Sequence, residues 1–332
     1  MKRMPGDPVE AEMPAAPVTR REFVERMLKV AGIGAVASGI AWSFHDRVPA
    51  VQAKARLLRD HRVDSPGPKM ALATGAKPAA NVRAVLAALG RIERFVKRGE
   101  VVLVKPNVGW DRIPAQAADT DPEVVAEIVR QCVAAGAREV VVADIPCNDA
   151  RRSFSRSGIE EAAAKAGAKV LVGPGDMVSI DLGGKILGEW EVFAPLIGAD
   201  RVINVPVVKH HGLAKATVGM KNWFGVLGKR RFLLHQRIDD AIVELALAVK
   251  PTLTVVDATR ILMRNGPTGG ALADVKSTMT LAAGTDPVAL DSWGVELLGL
   301  HRDEVPYLAL AQARGLGTSD WKSLAPSEAN PS

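Results

Sequence analysis

"RVINVPVVKHHGLAKATVGMKNWFGVLGKRRFLLHQR" occupies residues 201–237 and joins two different kinds of sequence. Its first eight residues are mostly apolar and β-branched, which is typical of a strand covered on both faces of a sheet. The remainder is basic: from Arg201 to Ile238 there are eight Lys or Arg, three His and no acidic residue. The stretch therefore predicts a buried strand that leads directly into a cationic segment.

The strand signal recurs along the chain and alternates with helical patterns. Apolar runs predict strands at 69–73, 101–105, 139–144, 168–172, 201–208, 252–257 and 278–283. Periodic segments predict helices at 81–97, 122–135, 158–166, 238–249 and 287–299. This alternation predicts an α/β fold with a mostly parallel, Rossmann-like sheet, helices on both faces and a small β-hairpin insertion around Gly183 and Gly184.

Length and composition allow one substantial core. The chain has 332 residues, of which 48% are hydrophobic, enough for a single α/β domain with appendages. We predict a twin-arginine signal region with a disordered N-terminus at 1–53, a single α/β domain at 54–320 and a C-terminal tail at 321–332.

The N-terminal region carries an export pattern. Thr19, Arg20, Arg21 and Phe23 precede an apolar run, Val30 to Trp42, that is too short to span a bilayer comfortably. The small residues of "VPAVQA" then offer a cleavage site. The pattern predicts export of the folded protein by the twin-arginine translocation machinery, to the periplasm or another extracytoplasmic compartment.

The net charge of +6 favours an anionic partner. A basic total does not by itself distinguish nucleic acid, acidic lipid and small acidic ligands. Because an exported protein rarely meets nucleic acid, we expect a small anionic ligand and no nucleic-acid partner.

The two cysteines are predicted to be free. Cys132 falls late in a predicted helix and Cys147 just beyond the far end of the next strand. A strand of about eight residues spans roughly 25 Å, which is far beyond disulfide reach. Two cysteines are also too few for an iron–sulfur cluster of the chain's own.

Polar residues stand where several predicted strands end. They are Lys105, Asn107, Asp144, Lys209, His210, His211 and Asp257. Ligands of open α/β sheets bind outside the carboxyl ends of the strands, so these residues are candidates for a site. Asp144 and Asp257 are equally well explained as turn formers, whereas Lys is no special turn former.

Several motifs together carry a family resemblance. They are "VKPNVGW", "INVPVVKHHGLAKATVGMKNWFG", "VVDATR", "NGPTGG" and "GTDPVALDSWGVELLG", in order between about residues 69 and 317. The chain resembles the proteins called domain of unknown function family 362. The resemblance implies a shared fold and site rather than a reaction. Some relatives carry ferredoxin-type cysteine clusters, which implies a redox partner protein, but this chain has no such cluster.

The basic segment is suited to an anion. Lys209, Lys215, Lys221, Thr217 and Asn222 would donate to carboxylate or phosphate oxygens, with Lys105 as a further donor. Gly219 and Gly225 would let the backbone approach that ligand. We expect Lys105, Lys209 and Lys221 to surround the anion, and Lys229, Arg230 and Arg231 to form an outer, solvated run.

The histidines leave two roles open. Nearby lysines should keep His210 and His211 neutral at pH 7, and a neutral imidazole acts as a base or a metal ligand. Neighbouring residues of an extended chain point to opposite sides, so the pair would not easily grip one divalent metal, even with His235 as a third ligand. The cofactor therefore stays unassigned.

"GTDPVALD" contributes two acids of different kinds. Asp286 precedes a proline and is predicted to cap a helix. Asp291 has apolar helical neighbours, so its carboxylate needs a partner, for which we predict a lysine of the basic segment, or a catalytic role.

Two functions fit these residues. In the first, the protein is an enzyme that acts on a small acidic compound by proton transfer or redox, with Lys209, His210, His211 and Asp291 as candidate catalytic residues. In the second, it is a non-catalytic binding protein for an anionic ligand or a metal or redox cofactor, working with an iron–sulfur partner. Turnover separates the two.

Export should depend on the paired guanidinium groups. Changing both Arg20 and Arg21 to Lys should leave the precursor in the cytoplasm, as measured by fractionation of the host cells. Unchanged export of the double variant would contradict the signal assignment.

Overall fold

The computed structural model describes residues 58–64, 66–228 and 230–331. The predicted signal region at 1–53 and Lys229 of the outer basic run lie outside these residues. Among the described residues, no helix is long and apolar enough to cross a membrane.

Ten strands form the main sheet of the described chain, and two more form a separate hairpin. The strands are β1 (Met70–Thr74), β2 (Val101–Pro106), β3 (Glu139–Asp144), β4 (Lys169–Val172), β5 (Met177–Asp181), β6 (Glu189–Phe193), β7 (Arg201–Val205), β8 (Val207–His211), β9 (Lys215–Thr217), β10 (Leu253–Leu262), β11 (Val275–Gly284) and β12 (Ser327–Ala329). The sheet order is β12-β1-β11-β10-β7-β2-β3-β4, and β8 pairs with β10 and β9. Strands β10, β7, β2, β3 and β4 run parallel, which confirms the predicted mostly parallel α/β fold.

Eight α-helices surround the sheet in the described chain. They are α1 (Pro78–Ala88), α2 (Pro122–Ala134), α3 (Ala150–Arg156), α4 (Ile159–Lys165), α5 (Ala194–Gly198), α6 (Ile238–Ala248), α7 (Pro287–Leu297) and α8 (Pro306–Ala313). The short α3 and α5 and the C-terminal α8 are absent from the sequence prediction. The predicted helix at 81–97 is shorter than expected, because Gly90 adopts a positive φ of 95° soon after α1 ends.

Both faces of the sheet are buried. Leu103 and Val202 belong to one apolar core, with side chains of α6, α7 and α8, whereas their neighbours Val102 and Ile203 belong to a second core with α1 and α2. Successive residues of a strand point to opposite faces, so a strand between two cores must be apolar throughout. This requirement explains the continuous apolar runs of the sequence.

The predicted strand 201–208 is interrupted at Pro206. Proline has no backbone N–H and cannot donate to a ladder, so β7 ends at Val205 and β8 begins at Val207. The Pro206 carbonyl still accepts a hydrogen bond from Asp257 N at 2.8 Å. The chain therefore shifts at this point and continues beyond the end of β7 as β8, which contains Lys209, His210 and His211.

The predicted hairpin and helix cap are present. β5 and β6 pair as an antiparallel hairpin that is separate from the main sheet. Asp286 caps α7, since its carboxylate accepts hydrogen bonds from Val288 N and Ala289 N. Residues 321–332, which the sequence assigned to a tail, include β12, which pairs in parallel with β1 at the edge of the sheet.

The two cysteines should differ in reactivity. Both are free; Cys132 is buried, and burial raises its pKa to about 12, whereas Cys147 is exposed. Iodoacetamide should therefore modify only Cys147 in the native protein, and both residues in the unfolded protein without reductant, as counted by intact mass spectrometry. Labelling of neither residue until reductant is added would show that they are paired.

Candidate functional site

The candidate site lies where the strand order changes direction. From β2 the chain proceeds to β3 and β4 on one side, and then returns to β7 on the other side of β2. Lys105 of β2 stands opposite Asn204 of β7 in the register. A crevice outside the carboxyl ends of such strands is the expected ligand position in an open α/β sheet.

A cavity of about 390 Å³ occupies this position. Residues that the sequence placed at strand ends line it together with others from later loops. The lining residues are Asn107, Gly109, Trp110, Asp144, Ile145, Cys147, Lys209, His211, Gly212, Leu213, Thr217, Lys221, Asn222, Phe224, Gly225, Arg231, His235, Gly266 and Pro267.

A buried ion pair between Lys105 and Asp144 lies at the polar side of the cavity, which is called the floor below. Lys105 Nζ lies 2.6 Å from the Asp144 carboxylate and donates as well to the Pro106 carbonyl at 2.9 Å, and both side chains are almost fully buried. The other Asp144 oxygen accepts Val108 N at 2.7 Å. Gly225 lies against this pair, where a Cβ would overlap the Asp144 carboxylate. Gly225 is therefore needed for close approach to an internal ion pair, in addition to lining the cavity.

Two asparagines extend the ion pair across the floor. Asn222 Oδ1 accepts from Lys105 Nζ at 3.2 Å and from Asn107 Nδ2 at 2.9 Å. Asn107 Oδ1 in turn accepts from Lys209 Nζ at 2.8 Å, and Lys209 also donates to the Ala118 carbonyl. The result is a continuous polar chain whose members satisfy one another.

Asp119 is a charged residue that the sequence analysis did not identify. It is buried, accepts a hydrogen bond from Trp110 N at 3.0 Å and interacts electrostatically with Lys209. Burial raises the pKa of Asp119 to about 7 and lowers the pKa of Lys209 to about 8, while each charge favours the other. Asp119 follows no predicted strand, so the strand-end pattern had no means of finding it.

Lys221 differs from the other two lysines. Its side chain is only 7% exposed, yet its ammonium makes no hydrogen bond or ion pair with any residue that the structure describes. It lies 3.5 Å from the centre of the Phe224 ring, a cation–π contact. Burial, with smaller contributions from the charges of Lys209 and Arg231, lowers the pKa of Lys221 to about 7, while Cys147 opposes this shift.

Arg231 was assigned to the outer basic run, and that assignment is wrong. Its guanidinium donates to the carbonyls of Ile145, Phe224 and Pro146 at 2.7–3.1 Å and lies 3.5 Å from the Cys147 sulfur. No carboxylate of the described residues forms an ion pair with it, so its charge is left for the cavity. The segment Arg231–Arg237 is 3₁₀-helical, and this turn directs Arg231 inward while Arg230 stays exposed.

His211 and His235 face each other in the wall. Their rings stack with 6.1 Å between centres. His211 Nδ1 accepts from Leu213 N and Ala214 N, both at 3.2 Å, and its pKa is lowered to about 3 by burial and by Lys221. The neutral ring therefore carries its proton on Nε2 and is a hydrogen-bond donor. His235 Nδ1 lies 3.1 Å from the Phe232 carbonyl and so carries the proton, which leaves Nε2 as an acceptor.

His210 lies apart from the cavity lining. Its Nδ1 accepts from Gly266 N at 3.2 Å, in the loop formed by "NGPTGG". The predicted opposite orientation of neighbouring histidines is therefore observed, with His211 toward the cavity and His210 toward this loop. The same loop brings Gly266 and Pro267 to the cavity mouth.

Two predicted site acids stand outside the cavity lining. Asp257 accepts Asp121 N at 2.7 Å and Thr259 N at 2.9 Å, so it holds the start of α2, and burial raises its pKa to about 6. Asp291 accepts Gly219 N at 2.8 Å and Met220 N at 3.2 Å.

The lysine partner predicted for Asp291 is therefore wrong, because backbone amides replace it. Burial raises the pKa of Asp291 to about 7. A Cβ on Gly219 would lie 2.9 Å from the Asp291 carboxylate, so this glycine serves an internal contact.

Thr217 lines the cavity as the sequence predicted, and several lining residues were missed. The missed ones are Trp110, Cys147, Phe224 and Arg231. Trp110 and Phe224 lie inside the motifs "VKPNVGW" and "MKNWFG", which was the available signal. Within the described chain, no group of three or more His, Cys, Asp or Glu side chains is arranged to hold a metal ion.

Comparisons with known proteins identify the family. The model of the family described as domain of unknown function (DUF362) matches residues 102–296. This span is more than half of the chain and includes every residue that lines the cavity. The protein therefore belongs to the DUF362 family, as the motifs indicated.

One curated relative and one solved structure are similar to this chain. A thylakoid-associated protein of Synechocystis sp. is 31% identical over 252 residues, which cover 71% of this chain and 75% of the relative. The lactate racemase apoprotein of Thermoanaerobacterium thermosaccharolyticum is similar with a TM-score of 0.45 and 13% identity, over 72% of this chain. This chain spans 58% of the length of that structure.

The lysines should differ in their contribution to stability. Lys105→Met leaves the buried Asp144 carboxylate unpaired and should cost about 3–5 kcal/mol in the free energy of unfolding. Lys221→Met removes a buried charge that has no carboxylate partner, and should leave that free energy within about 1 kcal/mol of the parent or raise it. Urea denaturation followed by tryptophan fluorescence measures both; equal destabilisation would show that Lys221 is also part of an internal pair.

Proposed function

We propose that the protein binds a small anionic compound in this cavity, with Lys221 and Arg231 supplying the charge. The observation that carries the proposal is the Lys221 ammonium, which is more than nine-tenths buried and has no anionic partner among the described residues. Burying a charge without a partner is costly. A ligand carboxylate or phosphate would remove that cost.

The charge balance of the cavity supports the same proposal. Four basic groups and two carboxylates meet at this edge of the sheet: Lys105, Lys209, Lys221, Arg231, Asp119 and Asp144. When all are ionised, two positive charges remain in excess. The His211 Nε2–H and the Thr217 hydroxyl add neutral donors to the same wall. These groups suit a carboxylate or phosphate head.

The enzymatic form of the proposal is proton transfer on the bound compound. A bound anion would raise the pKa of Lys221 above its present value of about 7, so Lys221 would take up a proton as the ligand binds. His235 Nε2, with its free lone pair, is the candidate base. His235 and Lys221 therefore replace His210 as the candidate groups for proton transfer, because His210 Nδ1 accepts a hydrogen bond from Gly266 N.

A non-catalytic binding protein is the second candidate. It is favoured by the polar chain of the floor, in which Lys105, Asn222, Asn107 and Lys209 use their hydrogen-bonding groups on one another. Incorporation of solvent deuterium into a bound acid, measured by mass spectrometry, would identify the enzyme. A redox reaction would need the iron–sulfur partner protein that the family resemblance implied.

We propose further that the protein works outside the cytoplasm. The twin-arginine pattern at Arg20 and Arg21 supports export. The Synechocystis relative is named for its association with the thylakoid, and we propose that this chain likewise acts beside a membrane.

Binding should depend on one lysine and not on a neighbouring surface charge. Lys221→Met should weaken binding of inorganic phosphate and succinate roughly ten- to a hundredfold, since a charge-assisted hydrogen bond contributes about 1.5–3 kcal/mol. Arg230→Met is the matched control, because Arg230 is exposed and should contribute under about 1 kcal/mol. Isothermal titration calorimetry measures both. If the two variants bind alike, the basic segment is only a solvated face.

The same binding should weaken as the pH rises. In the free protein Lys221 is charged below about pH 7 and neutral above it, and the anion prefers the charged form. The affinity should therefore be greatest below pH 7 and fall by roughly tenfold per pH unit between pH 7 and 9, until the pKa of the bound state is reached. In Lys221→Met this slope should become shallower, and the remaining pH dependence should come from Asp119 and Lys209, whose pKa values of about 7 and about 8 lie in the same range.

A further inference from the structure

The cavity is lined by two kinds of side chain, cationic and apolar. Lys221 and Arg231 form a cationic side whose charges lack carboxylate partners in the described chain. Most of the remaining surface is apolar or aromatic, and it comes from Trp110, Ile145, Leu213, Phe224 and Pro267. A ligand that filled this cavity would therefore contact both these charges and apolar side chains.

The polar floor offers little to a polar ligand body. Lys105, Lys209, Asn107 and Asn222 are hydrogen-bonded to one another and to backbone carbonyls. A compound with several hydroxyl or carboxylate groups would leave most of them without partners once water is displaced. An apolar ligand body loses no such hydrogen bonds.

Exposed apolar side chains occur in the chain segments that line the cavity. Phe232 is 65% exposed, Leu213 is 62% exposed and Leu233 is 44% exposed. Leu213 lines the cavity itself, and Phe232 and Leu233 follow Arg231 in the 3₁₀ segment whose His235 also lines it. Single exposed apolar side chains are ordinary, but Leu213 is an exposed apolar side chain that itself lines a cationic cavity, which favours an apolar part of the ligand there.

We infer that the ligand is an amphiphilic acid, with a carboxylate or phosphate head at Lys221 and Arg231 and an aromatic or branched apolar body against Trp110 and Phe224. This inference rests on the proposed function and specifies its substrate class. A cavity of about 390 Å³ is near the lower end of the range for small-molecule sites, so it suits one ring with a short acidic chain. A longer body would leave the cavity across Leu213.

Matched pairs of acids test the inference. Succinate is compared with phenylsuccinate, and inorganic phosphate with phenyl phosphate, by calorimetric titration of the full-length protein. The phenyl member of each pair should bind about tenfold tighter or more, because burial of a ring removes apolar surface from water. Both phenyl compounds should also slow the modification of Cys147 by iodoacetamide, since this thiol lines the cavity.

Surface variants locate the apolar contact. Leu213→Ser should lower the ratio of phenyl to plain affinity severalfold, because Leu213 lines the cavity, and should not unfold a protein in which this side chain is exposed. Val133→Ser is the matched control, because Val133 is a 44% exposed side chain on α2, outside the cavity lining, and should leave the ratio unchanged.

The possible outcomes distinguish a failure of this inference from a failure of the proposed function on which it rests. Equal binding within each pair, still lost in Lys221→Met, would overturn the amphiphilic ligand and leave the anion site standing. Binding of no compound, or binding that is indifferent to Lys221→Met, would overturn both. A phenyl advantage that survives in Leu213→Ser, with no slowing of the Cys147 modification, would show adsorption elsewhere and would also overturn the inference.

Discussion

The buried ion pair between Lys105 and Asp144 is the interaction on which the site depends. It joins the carboxyl ends of two neighbouring parallel strands, and the second Asp144 oxygen fixes the loop that begins at Val108. Removing either partner would leave the other as an uncompensated buried charge, which is why the pair is a constraint on the whole edge. Gly225 is required beside it, since any side chain there would collide with the carboxylate.

From this pair the hydrogen bonds run outward through Asn222 and Asn107 to Lys209. The network provides hydrogen-bond partners for the polar groups of the floor. It therefore distinguishes two kinds of lysine that look identical in the sequence. Lys105 and Lys209 belong to the structure of the floor, whereas Lys221 lies over an aromatic ring with its charge unused by the described residues. Under the proposed function, such a cavity would accept an anion without any rearrangement of its own polar groups.

The motifs shared with the DUF362 family fall into two groups when they are placed in the fold. "VKPNVGW", the histidine segment and "NGPTGG" meet at the cavity, whereas "VVDATR" and "DPVALD" hold helix starts and a backbone turn through Asp257, Asp286 and Asp291. Asp257 and Asp291 are buried, and all three carboxylates accept backbone hydrogen bonds, so the second group preserves the position of the first. The motifs therefore combine residues that line the cavity with residues that hold the surrounding backbone.

The sequence alone determined the α/β class, the parallel strands, the small hairpin and most of the polar residues at the sheet edge. These features can be predicted because the spacing of apolar residues and the position of strand ends are local properties of the sequence. It did not determine which charges are neutralised. Asp291 accepts hydrogen bonds from backbone amides and not from a lysine, and Arg231 points inward although it was expected in the outer run. Those outcomes depend on Pro206, which displaces the histidine strand, and on a 3₁₀ turn, together with contacts between residues far apart in the chain. Partnership and burial are set by distances in three dimensions, and only the tertiary structure contains those distances.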